Sequence, residues 1–219
     1  MTIQNKLLII AITWATLFVL YSIHRFLIKD GFLSHSSKIF LSNVSVPVKS
    51  PGPLLSKVGV LFVFAVNIIT IILILISALS SSIDQYLVLV KVNLPLWANI
   101  VGSMLFVIGN IWGLFAMAFN PNYTPLYKVP PQQFILATQG PYGIIRHPRY
   151  ASEAFLNIAL FLFTGIWLPL LGLIGWVAIY HQACAEENYL MALAAKEYGE
   201  YRKKTNMFFP KPRRKHTVE

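Results

Sequence analysis

Long apolar runs alternate along the chain with short polar stretches. A helix needs about 20 apolar residues to cross a bilayer, and five segments approach that length. They run over Leu7 to Ile28, Leu54 to Leu79, Pro95 to Phe119, Tyr150 to about Trp167, and about Leu168 to Leu193. Lys57 sits near one end of the second, where its ammonium can snorkel to the interface. Pro95 suits the first turn of the third, because its missing N–H is an orphan there anyway. Only Trp167-Leu168-Pro169 separates the last two segments, which predicts a tight antiparallel hairpin; one unbroken helix of about 45 residues is far too long for a single crossing. The fifth segment is apolar only to about Ala185, and beyond it reads as an amphipathic helix leaving the membrane. The pattern therefore predicts an all-α polytopic membrane bundle of about five transmembrane helices with a C-terminal amphipathic extension. It forms a single membrane domain over residues 1–219: three spans and their loops in 1–133, a region rich in polar residues over 134–210, and a basic tail over 211–219. The first run has no convincing small-residue cleavage site, so it reads as a retained span rather than a signal peptide.

Composition supports this reading. Hydrophobic residues make up 56% of the chain and charged residues only 12%, about half the share of an average soluble domain. The net charge of +10 does not point to nucleic acid, because the basic residues lie in loops between apolar runs and not on an aromatic-rich soluble face. Their distribution sets the orientation instead. Arg25, Lys29, Lys38 and Lys49 flank or fill the first loop, and Lys128 and Arg146 the third. Arg202, Lys203, Lys204, Lys211, Arg213, Arg214 and Lys215 follow the fifth span, while the second loop has only Asp84 and Lys91. The positive-inside rule then places the N-terminus outside and the C-terminus in the cytoplasm. The single cysteine, Cys184, excludes an internal disulfide.

Of the eight acids, Asp30 and Asp84 are in loops and Glu219 is terminal. Glu153, Glu186, Glu187, Glu197 and Glu200 all follow the stretch Gln139-Gly-Pro-Tyr-Gly-Ile-Ile-Arg-His-Pro-Arg-Tyr150. Ionisable groups near a membrane span are costly and usually line a cavity or pair with one another. Tyr150, Glu153 and Asn157 fall at i, i+3 and i+7 and form one stripe that should face the bundle. On the fifth span Gln182 and Glu186 are one turn apart, and Trp176, Tyr180 and Glu187 share a second face. A tight hairpin brings these stripes together near Arg146 and His147. Blander readings exist: Arg146, His147 and Arg149 as interfacial anchors, the glutamate pair as a solvated helix end, and Tyr142, Tyr150, Tyr189, Tyr198 and Tyr201 as an aromatic belt. His181 and Cys184 read as packed, since no metal-ligand spacing surrounds them. Trp97, Trp112 and Trp167 read as lipid-facing or belt residues. No metal site, phosphate loop or dinucleotide loop is recognisable.

Together these residues resemble a known family. The stretch Phe134-Ile-Leu-Ala-Thr-Gln-Gly-Pro-Tyr142-Gly-Ile-Ile-Arg146-His-Pro-Arg-Tyr150 is similar to the hallmark of isoprenylcysteine carboxyl methyltransferases and their phospholipid methyltransferase relatives. That hallmark is Gly-x-Tyr, three residues, then Arg-His-Pro-x-Tyr. Glu186-Glu-Asn-Tyr-Leu190, followed by Tyr198, Tyr201 and Pro210, resembles the second half of the pattern. The resemblance implies a membrane enzyme that uses S-adenosylmethionine and releases S-adenosylhomocysteine. It implies a donor pocket lined by the backbone of Ile135, Leu136 and Ala137 and by Tyr142, His147, Pro148, Tyr150 and Glu187. Glu186 and Gln182 would face the acceptor, and Glu186 and Arg146 would serve catalysis.

The chemistry of the residues agrees. Carboxylates and tyrosine faces suit a sulfonium cation, and Arg146 or His147 suits a carboxylate. The methyl group is already activated, so alignment and exclusion of water are the main requirements. A prenylated cysteine carboxylate leads as the acceptor, with phospholipid amines and small thiols as alternatives. One departure bears on that ranking. Gln182 stands where prenylcysteine methyltransferases place an arginine, and a neutral amide cannot hold a carboxylate as a cation does. Ser152, Ala195, Asn206 and Met207 also depart from the pattern. Two other classes compete: an NADPH-dependent membrane reductase of the sterol type, against which the short chain counts, and a non-catalytic adaptor.

Overall fold

The computed structural model describes residues 1–27, 39–41, 53–79, 87–120 and 134–212. Lys29, Asp30, Lys38, Lys49, Asp84, Lys128 and the tail from Arg213 onward lie outside the described residues, as do the side chains of Arg25 and Ile135. The described elements are α1 (Ile3–Leu27), β1 (Ile39–Leu41), α2 (Leu54–Leu79), α3 (Leu96–Ala118), β2 (Phe134–Leu136), a 3-10 turn (Gly140–Gly143), α4 (Pro148–Thr164), α5 (Leu168–Leu171), α6 (Trp176–Leu193) and α7 (Ala195–Lys204). Among the described residues the fold is all-helical apart from one short antiparallel pairing of β1 with β2, in which Ile39, Phe40 and Leu41 face Leu136, Ile135 and Phe134.

Among the described residues, three helices are long and apolar enough to cross a membrane on their own: 21 residues over Ile3–Ile23, 26 over Leu54–Leu79 and 23 over Leu96–Ala118. Pro95 precedes α3 with extended backbone, as its position in the sequence predicts. Large apolar side chains such as Leu8, Phe18, Leu55, Leu61 and Trp97 are more than half exposed. An apolar surface of that extent suits lipid and not water. The fourth and fifth segments fold as α4, with 17 residues, and α6, with 18, both slightly short of a full crossing.

The core lies between α3 and α4, the helix pair in most extensive contact. Phe106 of α3 stacks on Phe163 of α4 at 5.8 Å, with Leu156, Ala159, Leu160 and Ile166 buried around them. The backbones meet at Gly102, where a Cβ would lie 2.2 Å from the Phe163 amide nitrogen. Small residues of this kind let membrane helices approach closely.

The hairpin linker is as short as expected, Gly165 to Trp167, but its arms differ from the predicted pair in two ways. The fifth segment is not one helix from Leu168 to Leu193. Between α5 and α6 the amides of Gly172, Leu173, Ile174 and Trp176 bond to carbonyls three residues back, the tighter 3-10 pattern. Gly172 is also pressed against Asn157, whose Oδ1 would be 1.9 Å from a Cβ there. The second difference is partner choice: α6 packs mainly on α2, and α4 on α3. The arms meet at their far end through long polar side chains, and that end carries the site.

Candidate active site

Each half of the polar region is anchored by local backbone logic. His147 precedes α4, with Pro148 in its first position, where a proline loses no helical hydrogen bond. Trp112 of α3 donates to the Pro148 carbonyl at 3.2 Å, so this tryptophan holds the start of α4 and is not a lipid-facing belt residue. Gly140 begins the 3-10 turn at φ +56°, with the Phe119 ring 2.6 Å from where a Cβ would stand; only glycine meets both demands. The turn delivers Tyr142, which is buried. Its carbonyl accepts from the Tyr201 hydroxyl at 2.6 Å and its own hydroxyl from Asn120 at 3.2 Å. Leu136 of β2 packs against Ala194, Tyr198 and Tyr201. The strand, the turn and the α6–α7 junction thus form one block, with Ala137 leading from the strand toward the turn. Burial pushes the hydroxyl pKa of Tyr198 and of Tyr201 upward, so both stay neutral.

The two glutamates of α6 occupy opposite environments. Glu187 is sequestered, its side chain 4% exposed, with Arg146 Nε 2.7 Å from Oε1 and Nη2 3.3 Å from Oε2. This is a bidentate pair, the strongest form of carboxylate recognition. Arg146 also donates to the Thr205 carbonyl, and Arg202 approaches Glu187 Oε2 at 3.4 Å. Burial opposes the charge on Glu187, but His147 and Arg146 outweigh it and hold the carboxyl below its ordinary 4.5.

Glu186, whose side chain is 30% exposed, faces the open side. Its Oε1 accepts from Tyr150 at 2.6 Å and from Gln182 at 3.1 Å. His147 lies between the two acids, Nδ1 3.7 Å from Glu186 and Nε2 3.3 Å from Glu187. The second contact lacks hydrogen-bond geometry, leaving buried Nε2 without a hydrogen-bond partner. The His147 ring stacks at 5.7 Å on Tyr150 and lies 5.8 Å from Phe208, which packs on Trp176. The Trp176 indole N–H is also buried and unpartnered. Buried donors without partners are rare in a finished core and suit a polar ligand.

The stripe on α4 faces inward as predicted. Glu153 and Asn157 are buried, and Arg149 reaches back to Glu153 at 2.6 Å while lying over the Phe64 ring. This buried pair sits beside the site and ties α4 to α2. The structure refines several of the sequence expectations. Tyr180 lies on the same face of α6 as Trp176 and Glu187, as expected, but is 51% exposed and stands outside the buried site. His181 is exposed, not packed. The segment Thr205–Phe208, inside the expected 134–210 region but with no residue assigned to the site, joins it through backbone: Arg146 N–H bonds to Asn206 O at 2.9 Å and His147 N–H to Met207 O at 3.0 Å. Arg202 was likewise read only as a positive-inside charge.

A cavity of about 230 Å³ lies elsewhere, at the other end of α4, among Lys6, Lys91, Asn93, Asn99 and Thr164. Lys6 there donates to the Thr164 carbonyl at 2.9 Å, neutralising a helix C-terminus. The motifs converge about 24 Å away along α4, taking 1.5 Å per residue.

Fold and site together define a membrane-embedded helical bundle with a two-carboxylate polar site at one end, a class distinct from soluble nucleotide-binding enzymes. Within it, the family model for phospholipid methyltransferase matches residues 97–200, a stretch that takes in α3, β2, α4, α6 and both glutamates. Over that stretch the chain is similar to the phospholipid methyltransferase family, which points to a membrane methyltransferase. No curated protein matches the chain.

Proposed function

We propose that the protein transfers the methyl group of S-adenosylmethionine to a lipidic acceptor, and that the acceptor is an amine headgroup. The observation that carries this is the split of the glutamate pair: Glu187 buried and paired, Glu186 open and held only by Tyr150, Gln182 and the distant His147. When bound, the donor supplies an activated methyl on a sulfonium sulfur. The residues fit it: the buried Trp176 N–H is a donor in want of an acceptor, His147 lies between the two carboxylates, and Tyr150 offers an aromatic face to a cation. The backbone of Ile135, Leu136 and Ala137 adjoins Tyr142 in the same block, and with Pro148 completes the proposed lining. Arg146 is a positioning residue here, because its guanidinium is already engaged by Glu187 and Thr205.

An amine headgroup arrives as an ammonium ion and must lose a proton before its lone pair attacks. Glu186 attracts the cation and accepts that proton. The carbon–sulfur bond breaks as the carbon–nitrogen bond forms, and S-adenosylhomocysteine leaves. Gln182 orients Glu186 without adding charge, so an incoming carboxylate meets another carboxylate and no cation at that position. The prenylcysteine carboxylate favoured by the motif is therefore the second reading, supported by Arg202, 45% exposed at the edge of the site. Five spans, an outside N-terminus and a cytoplasmic site complete the proposal; in support, Arg146, Arg149, Arg202, Lys203, Lys204 and Lys211 gather at the site end.

The test is methyl transfer from labelled donor by the purified protein in lipid nanodiscs, offered phosphatidylethanolamine, N-acetyl-S-farnesylcysteine and a simple thiol in turn. Label in phosphatidylethanolamine is expected, and Gln182→Arg should reduce it. Label only in the farnesylcysteine would replace the amine with the prenylcysteine carboxylate. Label in none of the three would sink the proposal.

A further inference from the structure

We infer that the C-terminal segment presents a surface for anionic lipid headgroups and couples that surface to the active site. The inference rests on the proposed function only for the identity of the ligand on the inner side. Two sets of contacts meet on Thr205–Pro210. On its inner side the segment is built into the site: Asn206 and Met207 carbonyls accept from the Arg146 and His147 amides, the Thr205 carbonyl accepts from the Arg146 guanidinium, and the Phe208 ring lies against His147 and Trp176. On its outer side the next residue, Phe209, is 77% exposed. Lys211 folds back so that its ammonium donates to the Lys203 carbonyl, which brings it to the end of α7 that carries Lys203 and Lys204, all three exposed.

From Lys196 to Lys211 the exposed basic residues are Lys196, Arg202, Lys203, Lys204 and Lys211, against the acids Glu197 and Glu200. Glu200 pairs with Lys203 at 2.6 Å, with both side chains more than half exposed, and such a pair is weak in water. The surplus is positive, it lies close in sequence to the exposed Phe209, and it follows directly on α6. A basic cluster beside an apolar side chain at that place fits anionic headgroups, with the ring entering the interface. A charged protein partner would not call for Phe209. Because Phe208 and Phe209 are consecutive, fixing one at the membrane surface restrains the other on His147. Anionic lipid should therefore order the donor side of the site.

The full chain would be placed in nanodiscs of phosphatidylcholine, with or without phosphatidylglycerol. Hydrogen exchange over residues 203–212 and S-adenosylhomocysteine affinity are both read. Anionic discs should slow exchange and tighten S-adenosylhomocysteine roughly fivefold. High salt should reverse both effects. The Lys203→Ala/Lys204→Ala/Lys211→Ala variant should match wild type in phosphatidylcholine and lose the gain in anionic discs, and Phe209→Ser should lose most of it. Equal exchange in the two lipids, or a triple variant that keeps the gain, overturns the surface. Slowed exchange with unchanged affinity overturns the coupling. Failure to bind S-adenosylhomocysteine in either lipid overturns the proposed donor instead, while exchange still reports on the surface. Protection by added polyglutamate and not by anionic lipid overturns the choice of a membrane partner.

Discussion

Neighbouring residues on a helix point about 100° apart, and this is how Glu186 and Glu187 come to do different work. Glu187→Ala removes one partner of a buried, bidentate pair and strands Arg146. Thermal or denaturant unfolding should show a loss of about 3–5 kcal/mol, and titration should show weaker donor binding; His147→Ala should weaken donor binding as well. Glu186→Gln keeps the shape and the hydrogen bonds. It should leave stability and donor affinity near wild type and lower turnover by about 10²–10⁴-fold. Equal effects of the two glutamate variants on donor affinity would contradict the division of labour. The pH dependence has a definite sign. The Glu187 pKa is held below 4.5 when folded, so the pair contributes fully above that value and is lost as acid takes pH down through the lowered pKa. Glu187→Gln should flatten this acid limb of stability while leaving the range around neutrality unchanged in slope.

At the scale of elements, contact between α3 and α4 fixes where the site stands. Gly102→Leu places a side chain into the Phe163 backbone and should cost about 1–3 kcal/mol or more, read as reduced thermal stability in detergent with donor binding falling in parallel. Unchanged stability would mean that the helices separate more easily than the buried Phe106–Phe163 stack suggests. Much of this level was legible beforehand. Periodicity placed Glu153 and Asn157 on the inner face of α4, and Pro95 marked a helix start. Other features were not legible. The pairing of Ile39–Leu41 with Phe134–Leu136 joins three-residue strands far apart in sequence, too short for a period to declare itself. The Thr205–Phe208 contacts with Arg146 and His147 run through backbone atoms, which leave no side-chain signature. The break at Gly172–Gly175 arises from tertiary contact with Asn157, which helical apolar spacing does not register.

For the whole molecule, the account joins a soluble donor and a lipidic acceptor at one interface. The basic residues predict that this end is cytoplasmic. With Cys184→Ser as background, Lys211→Cys should react with an impermeant thiol reagent only from the cytoplasmic side, and Thr2→Cys only from the other. The same accessibility for both would remove the odd number of crossings. The donor itself is the central claim, and a direct titration of the purified protein in nanodiscs with S-adenosylmethionine, S-adenosylhomocysteine and NADPH tests it. Saturable binding of the first two, weakened by Glu187→Ala, and no binding of NADPH is the predicted result. Binding of NADPH alone would contradict the account and make the protein a reductase.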